Sequence, residues 1–416
     1  MSLPRVAVVG IHGHGASHVR RATHLTAAGA CRLVAVADPR PPTPEELASL
    51  LGARPPIAGT SPVAASPLAP PAATPAGGAP AAEPEADRRV EPRVYSGLPD
   101  LLRAEDVDVV VLSTPIHTHA ALAELALRAG ADVLVEKPPV ASLAEFERLA
   151  EVVEETGRSC QVGFQAHGSG AVRALASMVA EGAFGEIEGI GATGKWVRRR
   201  AYWQRAKWAG RRTLDGIPVV DGVVTNAFAH SVAAALLIDG SGRAEQVAGV
   251  ETELFHANEI EADDTSTVRI RTTRGTAIVA ALTLCATDDE PPKITVYGSK
   301  GQAVLSYTTD ELEVGGSTTQ YGRDDLLENL LDHRRDGVAL IAPLEETGGF
   351  MRVLDAVRSA PAPGEVAASW VGDGDERHPV VPGIEKWIEQ AAERQQLFSE
   401  LGAPWAQPTE NRSFDR

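Results

Sequence analysis

The chain has little cysteine, a shortage of positive charge and no long apolar run. Cys31, Cys160 and Cys285 stand far apart in 416 residues and form neither a CxxC pair nor a metal-ligand spacing. That excludes a disulfide-stapled scaffold, gives no metal site to expect, and points to a reducing compartment, expected to be the cytoplasm. No segment approaches the roughly 20 apolar residues that a membrane-crossing helix requires. The opening MSLPRVAVVG lacks the pattern of a secretory signal. With 39 basic against 56 acidic residues the net charge is −17, which argues against general binding to nucleic acid or to anionic membranes. What remains is a soluble chain that is 44% hydrophobic and long enough for two domains.

Arg5–Val9 reads as a buried strand, followed at once by Gly10-Ile-His12-Gly13-His14-Gly15, a helix over Ala16–Ala28 and a strand over Leu33–Ala37 ending in Asp38. A strand, a glycine turn, a helix and an acid-tipped strand form the context of a dinucleotide-binding fingerprint. Glycines let the backbone approach a pyrophosphate, and the helix N-terminus favours its charge. His12 stands where the second glycine of GxGxxG belongs, and Gly13 beside it is expected to supply the room. Asp38, 23 residues after Gly15, is placed to accept hydrogen bonds from a ribose diol. It favours NAD, although Arg40 leaves NADP possible.

Residues 54–92 hold ten prolines and eleven alanines among 39 positions, without periodicity, and read as a disordered insertion before the third strand. Alternation of strands and helices resumes with Arg93–Tyr95, Leu98–Ala104 and Asp106–Ser113. The last of these runs into Thr114-Pro115-Ile-His117-Thr-His119, and a helix over Ala120–Ala129 follows. Asp132–Glu136 is a short buried strand. At its carboxyl end Lys137 precedes Pro138-Pro139, which restrict the backbone there. A helix over Leu143–Thr156 and a strand over Ser159–Gly163 complete a doubly wound parallel sheet.

VAVVGIHGHG, TPIHTH, RAGADVLVEKP and the strand ending in GF together resemble the glucose-fructose oxidoreductase/inositol dehydrogenase (Gfo/Idh/MocA) family. The resemblance implies a fold of two parts. Residues 1–165 would form a Rossmann domain, and 166–416 an α+β domain built on an open antiparallel sheet and used for substrate and oligomerisation. It implies that Thr114, Pro115 and His119 lie beside the cofactor, and that Glu136, Lys137 and Pro138 bring the lysine to the nicotinamide and substrate. A homo-oligomer is expected.

The second half changes period. Ala171–Glu181 reads as a helix, and Thr265–Thr273 with Thr276–Leu284 as a hairpin around Arg274-Gly275. Lys293–Tyr297 and Gln302–Tyr307 read as a second hairpin, and Ile384–Leu401 as a C-terminal helix packed back as a brace. Two further stretches carry chemistry. Lys195–Arg212 has eight basic residues, four aromatics and no acid. It suits a lid over a sugar or anionic substrate, a basic loop paired with acidic neighbours, or nucleic acid.

Gly216–His230 holds the match to the family's aspartate and histidine, four residues apart on one helix face. Here the pair is Asn226 and His230. By this resemblance His230 is the general base, active without a carboxylate because imidazole titrates near neutrality. Asp221 is expected to replace the missing carboxylate by folding back, and aspartate restored at 226 is expected to leave activity equal or higher. The resulting expectation is an NAD(P)-dependent oxidoreductase acting on a hydroxyl-bearing carbon of a sugar, polyol or sugar derivative. The alternative is an inactive ligand sensor on the same scaffold.

Overall fold

The structure, a computed structural model, describes residues 2–52, 91–406 and the strand Arg412–Ser413; the expected insertion at 54–92 lies almost wholly outside the described residues. The first half holds β1 (Arg5–Val9), α1 (Gly15–Ala27), β2 (Arg32–Ala37), α2 (Pro44–Gly52), β3 (Arg93–Tyr95), α3 (Leu98–Ala104), β4 (Val109–Leu112), α4 (His119–Arg128), β5 (Asp132–Val135), α5 (Leu143–Thr156) and β6 (Cys160–Val162). All six strands run parallel in the order β3-β2-β1-β4-β5-β6. Val6–Val9, Val109–Leu112 and Val133–Val135 are almost wholly buried, as strands covered on both faces must be. The order reverses between β1 and β4, and open sheets of this kind bind ligands in the crevice outside the carboxyl ends at that reversal.

The second half opens with α6 (Gly170–Ala180) and the long β7 (Ile187–Val197), then α7 (Arg200–Trp203), the small hairpin β8 (Thr213–Leu214) and β9 (Ile217–Pro218), and α8 (Ala229–Asp239). There follow β10 (Val247–His256), β11 (Thr265–Thr272), β12 (Ala277–Thr283), β13 (Cys285–Gly298), β14 (Gly301–Ser306), β15 (Glu311–Val314) and β16 (Ser317–Gln320). After these come α9 (Leu326–Asp336), α10 (Gly348–Ser359), β17 (Gly364–Glu365) and α11 (Ile384–Arg394). The large sheet runs β16-β15-β14-β13-β7-β12-β11-β10-β17, with Arg412–Ser413 beside β10.

This sheet is mixed rather than purely antiparallel. β7 lies parallel to β12, from Ile278 opposite Ile190 to Thr283 opposite Lys195, and β17 is parallel to β10. The expected hairpins are present, β11 with β12 and β13 with β14.

Alternation along β12 feeds two cores. Ile278, Ala280 and Leu282 pack with α8 and α6 in the main core, while Val279 and Ala281 pack with Ile384, Ile388 and Ala391 of α11. α11 can lie close because β7 offers glycines: a Cβ on Gly191 would come within 2.8 Å of the Ala392 carbonyl oxygen. The helix is shorter than its apolar pattern suggests. Gln395 turns left-handed at φ 56°, and the chain then buries Phe398 against Phe255 and Trp405.

Candidate active site

The glycine turn is shaped by close approach. Gly10 has φ +79°, and a Cβ there would lie 2.3 Å from the Ser113 carbonyl oxygen. A Cβ on Gly15 would lie 1.8 Å from the Gly10 carbonyl oxygen, so the first turn of α1 rests on the end of β1. At Gly13, with φ +58°, a Cβ would meet nothing within 4 Å. Asp38 sits at the tip of β2, where its carboxylate accepts from Ile11 N–H at 3.0 Å and Arg40 N–H at 2.9 Å. His12 takes part in the turn through its carbonyl, which accepts from Gly15 N–H at 3.1 Å, while its ring is turned to Arg40. Its Nε2 donates to the Arg40 carbonyl at 3.0 Å, and its Nδ1 accepts from the Arg40 guanidinium at 2.6 Å.

His119 ties the loop after β4 to the segment after β5. Its two ring nitrogens face the carbonyl oxygens of Thr114, at 2.7 Å, and Pro138, at 3.0 Å. Burial holds this imidazole below its ordinary pKa despite both carbonyls, and a neutral ring donates to one of them. Thr114, Pro115 and the Glu136-Lys137-Pro138 segment are thereby brought to one rim. Glu136 faces α1: its Oε1 accepts from His18 Nε2 at 2.7 Å and Gln165 Nε2 at 3.0 Å, and lies 3.3 Å from His14 Nε2.

His14, His18 and Gln165 carried no expectation from sequence. The spacing of the two histidines, one helical turn apart, was the available signal. Their ligand atoms and Glu136's lie within 4.8 Å of one another, at ion-pair and hydrogen-bond distances. Burial alone would raise the Glu136 carboxyl, but the charge of His14 and the bonds from both imidazoles hold it well below the usual carboxylate range. The Glu136 charge and hydrogen bond in turn raise His14.

A pH dependence follows. The raised His14 contributes stability that is fully present below the ordinary imidazole pKa and is lost as pH rises through its folded value. The thermal midpoint of the wild type should therefore fall relative to His14→Gln as pH rises from about 6 to about 9. A gap that widens with pH would remove His14 from the account.

From β5 the lysine reaches across to the second half of the molecule. Lys137 Nζ donates to Asn226 Oδ1 at 2.6 Å and to the Asn226 carbonyl at 3.0 Å. Burial lowers its pKa, opposed by the charges of Glu136 and Asp221. Asn226 and His230 do not share a regular turn. Asn226 lies in a five-residue π-type turn over Val223–Ala227, and α8 begins only after Phe228, at φ −111°. Among the described residues no hydrogen bond joins Asn226 or Asp221 to His230. Asp221 folds back onto Asn226, whose Nδ2 donates to it, and onto Arg205.

His230 packs edge-on against Phe164 at 5.8 Å, and its Nδ1 is buried without a hydrogen-bond partner among the described residues. Burial, and then the positive charge of Lys137, push its pKa well below the ordinary imidazole value. The ring is neutral at pH 7 and able to accept a proton. His167, a second buried imidazole, stacks on the same Phe164 at 5.5 Å and is pushed by burial to about 4.

Much of the basic stretch is paired with acids. Lys195 meets Glu290 and Glu389, Arg199 meets Glu376, and Arg205 meets Asp221. Arg212 instead donates to carbonyls at the end of α10.

Residues 4–164 match a family model described as the GFO_IDH_MocA oxidoreductase family, NAD-binding Rossmann fold, and 172–304 match the GFO/IDH/MocA C-terminal domain. A curated relative, dTDP-3,4-didehydro-2,6-dideoxy-alpha-D-glucose 3-reductase of Actinomadura kijaniata, is 38% identical over 97 residues, 23% of this chain. The chain thus spans only 29% of that reductase's length.

Among solved structures, the WlbA dehydrogenase from Bordetella pertussis, in complex with NADH and UDP-GlcNAcA, has a TM-score of 0.62 at 21% identity, covering 85% of this chain and 95% of that one. A putative myo-inositol dehydrogenase from Sinorhizobium meliloti has a TM-score of 0.57 at 18% identity, covering 85% and 96%. At these identities the likeness is one of fold.

Proposed function

This chain belongs to the GFO/IDH/MocA oxidoreductase family, and on that premise we propose that it is an NAD-dependent dehydrogenase or reductase acting on a hydroxyl-bearing carbon of a sugar, polyol or sugar derivative. The observation that carries the reading is the reach of Lys137 from the rim of the cofactor sheet to Asn226, at the threshold of the helix bearing His230. The cofactor fits the first half. The Gly10–Gly15 turn with its open space at Gly13 would take the pyrophosphate, and Asp38 the adenosine ribose. Thr114, Pro115 and Lys137 would line the nicotinamide side. Bound there, NAD supplies the acceptor or donor of hydride.

This chain's own groups supply position and proton transfer. His230, held neutral by burial and by Lys137, takes the hydroxyl proton in oxidation and returns it in reduction. The Lys137 ammonium, its Nζ fixed by two oxygens of Asn226, polarises the substrate oxygen. Sugar chemistry is supported by the Actinomadura kijaniata reductase, whose name is that of a glucose derivative, and by the Bordetella pertussis dehydrogenase, whose structure holds UDP-GlcNAcA. The test is turnover by purified protein on a panel of polyols, sugars, sugar acids and nucleotide sugars, followed by NADH absorbance. No turnover on any of them, with ligand-dependent partner binding instead, would favour a sensor.

Cofactor choice can be checked separately. The Asp38 carboxylate repels a 2′-phosphate, and the Arg40 guanidinium that could receive one is engaged by His12 and by Glu46 at 3.2 Å. NADH should bind at least about tenfold more tightly than NADPH, roughly 1.4 kcal/mol, in fluorescence titrations. Equal or tighter NADPH binding would overturn this assignment.

A further inference from the structure

Asn226 is held between a cation and an anion. Its Oδ1 accepts from Lys137 at 2.6 Å, and its Nδ2 donates to Asp221. An ionised aspartate could not do both, since it has no hydrogen to donate. Asp221 is 3% exposed and is held from three sides. Both its oxygens accept from Arg205 Nη2 at 2.8 Å, and Oδ2 also accepts from the Gly210 N–H at 2.8 Å. Arg205 is itself fixed between two rings, 3.8 Å from the centroid of Tyr202 and 4.6 Å from that of Trp208. Val220, just before the aspartate, has φ 42°. That conformation is a genuine outlier for a β-branched residue and is kept only where the surroundings enforce it.

We infer that Asp221 is the counter-charge of Lys137, acting through the Asn226 amide and held in place by Arg205, so that these three are positioning residues for the lysine. The inference rests on the reading in which Lys137 acts in the reaction. It also accounts for asparagine at 226. An aspartate there would meet Asp221 carboxylate to carboxylate, and two such groups in contact cannot both ionise freely. Restoring the acid at 226 is therefore expected to lower activity, the reverse of what the sequence pattern suggests.

Among the described residues, the charged and titratable groups coupled to Lys137 are Glu136 beside it, His14 just before α1, Asp221 and Arg205 from the segment before α8, and His230 on α8. Asp221 holds the ammonium in its charged form and Arg205 works against it, in agreement with the directions of their effects on Lys137.

The test reads the lysine rather than the reaction. Full-length protein is acetylated with trace acetic anhydride across pH 6 to 11, and labelling of the Lys137 peptide is followed by mass spectrometry. In Asp221→Asn the half-labelling pH should fall by about one unit, because an anion is lost while Arg205 remains. Mere loosening of the site would move it the other way, toward the value of a solvated lysine. The double variant Asn226→Asp with Asp221→Asn puts the carboxylate directly against the ammonium and the amide against Arg205. Its half-labelling pH should return to the wild-type value or above.

An unchanged or raised half-labelling pH in Asp221→Asn overturns the inference. If that variant does not fold, a half-labelling pH below wild type in the double variant overturns it equally. Failure of the reading in which Lys137 acts in the reaction would show instead as turnover that survives Lys137→Met.

Discussion

Replacing Lys137 by methionine is expected to cut turnover by roughly 10²-fold or more while the fold and most of the NADH affinity survive. Methionine keeps the side chain out to Cε and loses the ammonium that donates to Asn226 at 2.6 and 3.0 Å. His230→Ala should cost a similar factor, since it removes an imidazole that is both held neutral and close enough to Lys137 to feel its charge. The double variant should lose far less than the product of the two losses, because groups that act on one proton transfer are non-additive. Steady-state kinetics on any substrate found in the panel decide the matter. Turnover that survives both single substitutions would place the active site elsewhere.

The second large effect is expected at the glycine turn. Gly15→Ala should weaken NADH binding by at least about 10²-fold, roughly 2.7 kcal/mol, and lower the thermal midpoint as well. The added methyl would stand 1.8 Å from the Gly10 carbonyl oxygen, a backbone atom that cannot swing aside as a side chain would. Either α1 backs away from β1, or Gly10 leaves its place against Ser113. Each change moves the helix N-terminus from the phosphate it is proposed to face. Gly13→Ala is the contrasting variant: its methyl meets nothing within 4 Å, so the protein should fold, with a modest penalty for φ +58°. Its loss of NADH affinity reads the room that the cofactor needs. Calorimetry and fluorescence titration on the two variants separate packing from binding. Wild-type NADH affinity in Gly15→Ala would mean that the cofactor does not sit on this turn.

The sequence by itself determined the family and the elements of the first half other than α2. Strands buried on both faces must be continuous apolar runs, and their glycine turns are short and local. Val6–Val9 with Gly10, Val109–Leu112 with Thr114, and Val133–Val135 with Lys137 were therefore legible one stretch at a time. The hairpins of β11 with β12 and of β13 with β14 were legible for the same local reason.

Only the tertiary structure decided what those stretches face. Lys137 meets Asn226 across 89 positions, and His18 meets Glu136 across 118. No periodicity encodes such a meeting. The parallel pairing of β7 with β12 likewise depends on where a long crossover returns. The partner of Asp221 was decided in the same way. Sequence spacing offers it to His230 as readily as to Asn226. The left-handed turn at Val220 and the clamp of Arg205 bring its carboxylate to the amide, where it acts on the lysine's charge.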